Sequence, residues 1–160
     1  MTLPVGTEAP DFELRDQHGR PVRLSGYRGH KAVALLFYPY AFSRVCTGEL
    51  AGVRDRLPDF QSDTVQLLAV SCDPMFTLRA FAEHDGLEFP LLSDFWPHGE
   101  VATAYGVFDA DRGHARRSTV VVDRGGLVRW TVDNEIGEAR DEVGLASILA
   151  DIARESDRST

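Results

Sequence analysis

The chain has 160 residues, of which 43% are hydrophobic, so it can bury a core without disulfides or metals, and one domain over residues 1–160 is expected. A net charge of -8 disfavours binding to nucleic acid and to anionic membranes. Residues 1–10 lack a signal-peptide pattern and no segment is long and apolar enough to span a membrane, which predicts a cytoplasmic protein. Two cysteines and five scattered histidines, without Cys-x-x-Cys or His-x-x-x-His spacing, predict no metal site and no cofactor.

The first predicted elements are a β-hairpin and a buried strand. Apolar and polar residues alternate on both sides of a polar turn at residues 16–19, which is typical of a hairpin over residues 12–24. Residues 32–38 then form an almost unbroken apolar run that ends at Pro39, as in a strand buried on both faces. This run is the predicted central strand.

A helix should follow this strand and begin near Cys46. An apolar stripe with spacings of four and three predicts an amphipathic helix, which Pro58 should kink or end: Cys46, Leu50, Val53, Leu57, Phe60. Because Cys46 comes first in this stripe, its thiol should lie at the helix N-terminus.

The remainder continues the alternation of strands and helices. Val65–Ser71 is a second buried strand, after which Asp73 should cap a helix whose first residue is Pro74. A short helix at residues 100–105, a hairpin of strands 119–122 and 127–132, and a terminal helix at residues 140–155 complete the prediction. This order predicts a three-layer α/β domain with parallel strands and a hairpin at one edge.

The surroundings of Cys46 favour a reactive thiol. Free backbone N–H groups and the helix dipole stabilise a thiolate at a helix N-terminus. Ser43, three residues earlier, offers a hydroxyl that can donate a hydrogen bond to the sulfur or to a bound peroxide. On spacing alone, however, a cysteine at the head of an apolar stripe is more often a small buried hydrophobe.

Several motifs resemble those of the peroxiredoxins. Pro39 followed by Ser43-x-x-Cys46 is similar to their active-site motif, and Ala9-Pro10-Asp11-Phe12, Phe89-Pro90-Leu91-Leu92-Ser93-Asp94 and Arg117-Ser118-Thr119 occur in the expected order. Cys46-Thr47-Gly48-Glu49-Leu50 and residues 93–99 resemble the one-cysteine branch called alkyl hydroperoxide reductase E. The resemblance implies a thioredoxin-like three-layer sandwich with a central mixed sheet and an N-terminal β-hairpin.

The resemblance also implies residue roles. Cys46 would be the peroxidatic nucleophile, Pro39 a shield for its sulfur, Ser43 a peroxide donor and Arg117 a distant cationic donor. If the strand at residues 119–122 extends back to Arg117, this side chain points with Thr119, whereas Arg116 points to the opposite face. Glu49 could tether an arginine near the thiolate or merely favour the helix N-terminus.

The other cysteine and two aromatic residues leave alternatives open. Cys72 ends a predicted buried strand, so a structural role is favoured over a resolving one, which would make this a two-cysteine enzyme. Phe42 and Trp96 could line a substrate mouth or a dimer surface, although packing is the default interpretation. A homodimer is an expectation from the resemblance.

The predicted function is thiol-dependent reduction of hydrogen peroxide and organic hydroperoxides, with peroxynitrite as a further candidate substrate. Cys46 would become a sulfenic acid, which a low-molecular-weight thiol or a mycoredoxin-like, glutaredoxin-like or thioredoxin-like reductant would reduce. The rival hypotheses are a peroxide sensor that relays oxidation to a protein partner and a chaperone that does not need Cys46. A disulfide reductase is disfavoured because Ser43 stands where a Cys-x-x-Cys pair has its first cysteine.

Overall fold

The secondary structure follows the predicted alternation of strands and helices. The structure, a computed structural model, describes residues 2–134, 140 and 142–158. The strands are β1 (Glu13–Arg15), β2 (Pro21–Arg23), β3 (Ala32–Phe37), β4 (Val65–Ser71), β5 (Leu91–Ser93), β6 (Phe108–Asp109), β7 (His114–Ala115), β8 (Arg117–Val122) and β9 (Val128–Asn134). The helices are α1 (Arg44–Asp55), α2 (Met75–Asp85), α3 (Glu100–Ala104) and α4 (Glu142–Arg158), with 3-10 turns at Leu24–Tyr27 and Leu57–Asp59.

Seven of the strands form one mixed sheet in the order β2-β1-β5-β4-β3-β8-β9. The central strands β3, β4 and β5 run parallel, while β8 pairs antiparallel with β3 and β9 antiparallel with β8. The hairpin of β1 and β2 joins this sheet through β5, and so extends one edge of it. These observations confirm the predicted α/β fold with a mixed central sheet and an N-terminal β-hairpin.

Apolar residues cover both faces of the sheet. All six residues of β3 are buried, and they alternate between two hydrophobic clusters because successive side chains of a strand point to opposite faces. The first cluster includes residues of α1, α2 and α4, and the second includes residues of α3 and of the N-terminal segment. The central sheet therefore lies between two layers, as the apolar run at residues 32–38 predicted.

Helix α1 starts two residues before Cys46 and ends at Asp55, three residues before Pro58. The chain then makes a 3-10 turn that contains Pro58 and returns the buried ring of Phe60 to the first cluster. The predicted end of the helix before proline is therefore confirmed. The physical reason is that the proline ring excludes the continuous helical hydrogen-bond pattern.

The predicted N-cap of α2 is wrong. Pro74 occupies the cap position, and no side chain caps the first turn of this helix. The Asp73 carboxylate instead accepts hydrogen bonds from the backbone N–H of Ala41, at 2.8 Å, and from the Ser71 hydroxyl, at 2.7 Å. A contact with a distant loop has thus replaced the local capping that sequence spacing suggested.

The predicted hairpin near the C-terminus is confirmed, with different bounds. Strand β8 begins at Arg117, so it includes the arginine that the sequence placed at its possible extension. Strand β9 continues to Asn134, two residues beyond the predicted end. Helix α4 begins at Glu142, which leaves Arg140 outside the helix that was expected to start there.

Candidate active site

Cys46 lies in the first turn of α1, against the first hydrophobic cluster, and its side chain is fully buried. The first hydrogen bond of the helix runs from the N–H of Thr47 to the carbonyl of Ser43, at 2.8 Å. The N–H of Cys46 therefore precedes the helical ladder and has no acceptor within the helix. A negative charge on the sulfur would be stabilised at this end of the helix dipole.

Arg117 is the cation beside the sulfur. Its Nη2 lies 3.3 Å from Sγ of Cys46, and the side chain is almost completely buried. Arg116, one residue earlier, sends its guanidinium elsewhere and donates to the carbonyl of Gly106 at 2.7 Å. The alternation of side chains along β8 thus brings the second arginine of the pair to Cys46.

The Glu49 carboxylate binds two buried arginines, one of which lies beside Cys46. One of its carboxylate oxygens accepts a hydrogen bond from Nη1 of Arg117. The other accepts the backbone N–H of Arg140 at 2.9 Å and lies 3.5 Å from Nε of the same residue. Of the two interpretations of Glu49 from sequence, the structure shows the tether, because this carboxylate is buried among the arginines instead of solvated on the helix surface.

Sequence reasoning missed Arg140. Its Nη1 donates to the carbonyl of Ser118 at 2.8 Å and to the hydroxyl of Thr119 at 3.0 Å, and Nη2 donates to the carbonyl of Phe37. Burial lowers the pKa of this guanidinium to about 10, while the nearby Glu49 carboxylate opposes that effect. A single arginine ahead of an apolar helix gives no sequence signal that its side chain is buried in an ion pair.

The charges of this group favour an anion at Cys46. Within the described residues, two guanidinium groups and one carboxylate lie around the sulfur. Because water is excluded, a thiolate or an oxygen anion at this point is attracted more strongly than it would be at the surface. The arrangement can therefore stabilise both a nucleophilic sulfur and the negative charge that develops on a leaving oxygen.

Ser43 contributes a hydroxyl at the N-cap position of α1. Among the described residues its buried Oγ has no hydrogen-bond partner, and its side chain does not cap the helix. Serine at an N-cap normally satisfies a first-turn N–H with its side chain. This hydroxyl is therefore available to a molecule that binds beside Cys46.

Pro39 and Phe42 belong to the loop between β3 and α1. Pro39, two residues after the end of β3, is buried, whereas Phe42 is half exposed. The centroid of the Phe42 ring lies 5.0 Å from that of Phe81 and 6.0 Å from that of His84. Phe42 has a φ of 66°, which is unusual for a residue other than glycine. The loop thus places an apolar surface next to the N-terminus of α1.

Trp96 and Cys72 lie away from this group. Trp96 is 81% exposed and borders a cavity of about 240 Å³ whose other lining residues include Phe12 and Tyr105 of the second cluster. Cys72 directly follows β4 and lies beside the backbone of Ala115, which is a residue of the second cluster. Burial, with a smaller contribution from the charge of Asp94, raises the pKa of the Cys72 thiol to about 12. The structure therefore brings together Cys46, Ser43, Glu49 and Arg117, but neither Trp96 nor Cys72.

The described part of the chain contains neither a metal-binding cluster nor a membrane-spanning helix. No group of three or more histidine, cysteine, aspartate or glutamate side chains in this part of the chain is arranged to hold a metal ion. No helix within the same residues is long and apolar enough to cross a membrane.

Comparison with known proteins places these observations in a family. Residues 5–131 match the model of the AhpC/TSA family. The chain is 51% identical over 140 residues to alkyl hydroperoxide reductase E of Mycobacterium tuberculosis, covering 88% of this chain and 92% of that protein. It is 37% identical to peroxiredoxin 2 of Thermoplasma acidophilum over 147 residues, covering 87% and 72% of the two chains.

Solved structures show the same fold. Enterococcus faecalis AhpC superposes with a TM-score of 0.86 and 27% identity, covering 100% of this chain and 98% of that one. Peroxidoxin BcpB from Mycobacterium tuberculosis gives a TM-score of 0.80 and 30% identity, covering 95% and 97% of the two chains. The thioredoxin-like assignment is thereby confirmed. The chain belongs to the AhpC/TSA family of peroxiredoxins, is similar to alkyl hydroperoxide reductase E, and is a thiol-dependent peroxidase.

Proposed function

We propose that the enzyme reduces hydrogen peroxide, organic hydroperoxides and peroxynitrite with Cys46 as its nucleophile. The observation that carries this proposal is the 3.3 Å separation between Nη2 of Arg117 and the buried Sγ of Cys46 at the N-terminus of α1. Arg117, Ser43 and the N–H of Cys46 surround the place where a peroxide would meet the sulfur. Pro39 and Phe42 are proposed to shield that place from water.

The proposed first step oxidises sulfur by two electrons. The Cys46 thiolate attacks the terminal peroxide oxygen, an S–O bond forms, and the O–O bond breaks. The leaving oxygen takes a proton and departs as water or an alcohol. With peroxynitrous acid, the hydroxyl oxygen goes to sulfur and nitrite departs as an anion, without a proton. Cys46 is left as a sulfenic acid.

The hydrogen-bond donors around Cys46 are proposed to act mainly by stabilising the transition state. Increasing the thiolate fraction at neutral pH can account for only about a ten- to thirtyfold gain, and a more acidic thiol is also a weaker nucleophile. Enzymes commonly accelerate reactions by about a million-fold or more. Most of the effect must therefore come from stabilising the departing oxygen, for which Arg117 and Ser43 are the proposed donors.

We further propose that reduction of the sulfenic acid uses a thiol from outside the chain. The position of Cys72 beside the second cluster supports this, because Cys46 packs against the first cluster on the other face of the sheet. An external thiol would condense with the sulfenic acid, releasing water and leaving a mixed disulfide. A second thiol would then restore Cys46 and leave with the first as a disulfide. The proposed reductants are a low-molecular-weight thiol or a mycoredoxin-like, glutaredoxin-like or thioredoxin-like protein.

The proposed setting is a homodimer in the cytoplasm. Four exposed aromatic side chains near the ends of the central strands offer apolar area to a second copy: Tyr40, Phe42, Phe95, Trp96. Both cysteines are free thiols, which is typical of a reducing compartment. Sedimentation of the wild type and of Trp96→Ser would test the dimer, and a wild-type monomer would contradict it.

The experiment that tests the proposed activity mixes reduced protein with substoichiometric hydrogen peroxide in a stopped-flow fluorimeter, with Trp96 and Trp130 as reporters. Cys46→Ser is the control. Rapid one-to-one consumption that is lost in Cys46→Ser is the expected result, and a rate no faster than that of a free thiol would contradict the proposal. Non-reducing mass spectrometry after oxidation tests the one-cysteine mechanism, because a Cys46–Cys72 disulfide would show that Cys72 resolves the sulfenic acid.

A further inference from the structure

The loop between β3 and α1 contains a residue in an energetically unfavourable backbone conformation. It contains the buried Pro39 and ends at Ser43, the N-cap of the helix whose first turn holds Cys46, and Phe42 within it has a φ of 66°. A residue with a Cβ atom rarely adopts this backbone conformation, and it persists where surrounding contacts outweigh its cost. Contacts that fix this loop should therefore matter for the site that the loop covers.

The middle of the loop is fixed by the carboxylate of Asp73. The backbone N–H of Ala41 donates to Oδ2 of Asp73 at 2.8 Å, across 32 positions of the chain. Within the loop, the hydrogen bond from the N–H of Ser43 to the carbonyl of Tyr40 is long at 3.5 Å. A hydrogen bond to an ionised acceptor is about twice as strong as one between neutral groups. The Asp73 contact is thus a charge-assisted restraint on the middle of this loop.

Asp73 is itself anchored to two central strands. The hydroxyl of Ser71, at the end of β4, donates to the same Oδ2 at 2.7 Å. The hydroxyl of Ser93, at the end of β5, donates to the backbone carbonyl of Asp73 at 2.7 Å. The carboxylate is therefore positioned by the sheet, and it transmits that position to the loop through Ala41.

We propose that Asp73 is a positioning residue of the peroxidase site, which holds the loop closed so that Pro39 and Ser43 stay over the Cys46 sulfur. This inference rests on the proposed function of Cys46, and it assigns to Asp73 no contact with peroxide. Without the carboxylate, the loop should spend more time in open conformations. The peroxide reaction then slows because Ser43 is misplaced, while the normally buried sulfur becomes accessible to other reagents.

The test compares Asp73→Ala with Asp73→Asn in two reactions of Cys46. Asp73→Ala should lower the second-order rate constant for hydrogen peroxide about tenfold and raise the rate of alkylation by neutral iodoacetamide by a similar factor. Asp73→Asn keeps an oxygen that can accept the N–H of Ala41, so both rates should remain within about threefold of the wild type. Opposite changes in the two rates identify positioning, because a general loss of thiol reactivity would lower both.

Asp123→Ala is the matched control. The Asp123 carboxylate also accepts a backbone N–H in a tight turn, that of Leu127 at 3.0 Å, but it follows the end of β8 remote from Arg117. This variant should leave both Cys46 rates unchanged. The proposal is overturned if Asp73→Ala reacts with peroxide as the wild type does, or if Asp123→Ala reproduces its effects.

Hydrogen exchange of the wild type provides a measurement that requires no substitution. The Ala41 amide should exchange at least about tenfold more slowly than in an unstructured peptide, and exchange at the unstructured rate would overturn the proposal even if Asp73→Ala fails to fold. The alkylation and exchange measurements do not depend on peroxide chemistry. Failure of the peroxidase itself would instead appear as equal peroxide rates in the wild type and Cys46→Ser.

Discussion

The carboxylate of Glu49 holds the guanidinium of Arg117 by one end while the other end of that guanidinium lies 3.3 Å from Sγ of Cys46. Glu49 and Cys46 are neighbours on one face of α1, being three residues apart. The helix thus positions both the sulfur and the group that orients its cationic neighbour. The second oxygen of Glu49 binds Arg140, so this carboxylate contacts two buried cations.

Removing the charge of Glu49 should reduce both stability and activity. Glu49→Gln would remove the carboxylate charge that contacts both Arg117 and Arg140, so we expect the free energy of unfolding to fall by about 3 kcal/mol in urea titrations. The peroxide rate constant should fall about tenfold because Arg117 is less firmly oriented. Glu13→Gln is the control, since Glu13 forms an exposed salt bridge with Arg23 and its loss should change stability by less than about 0.5 kcal/mol. Equal effects of the two substitutions would contradict this account.

The adjacent arginines should differ sharply in their effect on catalysis. Arg117→Lys retains a positive charge but loses the two-ended guanidinium that reaches both Glu49 and Cys46, so the peroxide rate constant should fall at least about tenfold. Arg116→Lys alters a side chain that binds the carbonyl of Gly106 and should leave that rate within about twofold. Stopped-flow reaction with hydrogen peroxide measures both. Comparable losses in the two variants would argue against a specific role of Arg117.

The hydroxyl at position 43 should be needed, and the identity of the hydroxyl residue should matter little. Ser43→Val replaces the buried hydroxyl, which has no hydrogen-bond partner among the described residues, with a methyl group and adds a second one, so the peroxide rate constant should fall at least about tenfold. Ser43→Thr keeps the hydroxyl and adds a β-branch that restricts its rotation, so its rate should match or exceed that of the wild type. An unchanged rate in Ser43→Val would remove Ser43 from the mechanism.

Cys72 should make stability fall at alkaline pH. Its pKa is raised from 9.0 to about 12, so between these values the unfolded chain releases the thiol proton while the folded chain retains it. The unfolded state therefore binds fewer protons, and the free energy of unfolding decreases as pH rises through this window. Urea titrations of the wild type should show a steeper decrease there than those of Cys72→Ala, in which the titrating group is absent. Parallel pH profiles would show that Cys72 ionises equally in both states.

Sequence periodicity determined much of the fold and part of the site. The apolar run of β3 and the stripe of α1 follow from the repeats of strands and helices, and the spacing from Ser43 to Cys46 places both residues at one helix N-terminus. Strand alternation puts Arg116 and Arg117 on opposite faces, and the resemblance to the peroxiredoxin motif selected Arg117. Strands β6 and β7 have two residues each, too few for a repeat to be recognised, and the Leu-Leu-Ser sequence of β5 does not alternate, so none of the three was predicted.

Only the tertiary structure decided which distant groups meet. Glu49 is 68 positions from Arg117 and 91 from Arg140, and Asp73 is 32 positions from Ala41. Spacing suggested a local cap for Asp73, but its carboxylate binds the loop over Cys46, and Cys72 lies beside the second cluster, away from Cys46. Local periodicity fixes the face on which a side chain lies, because backbone geometry repeats every 2 or 3.6 residues. The pairing of buried charges and donors depends instead on how strands and loops pack, and that packing brings together residues with no fixed separation in the chain.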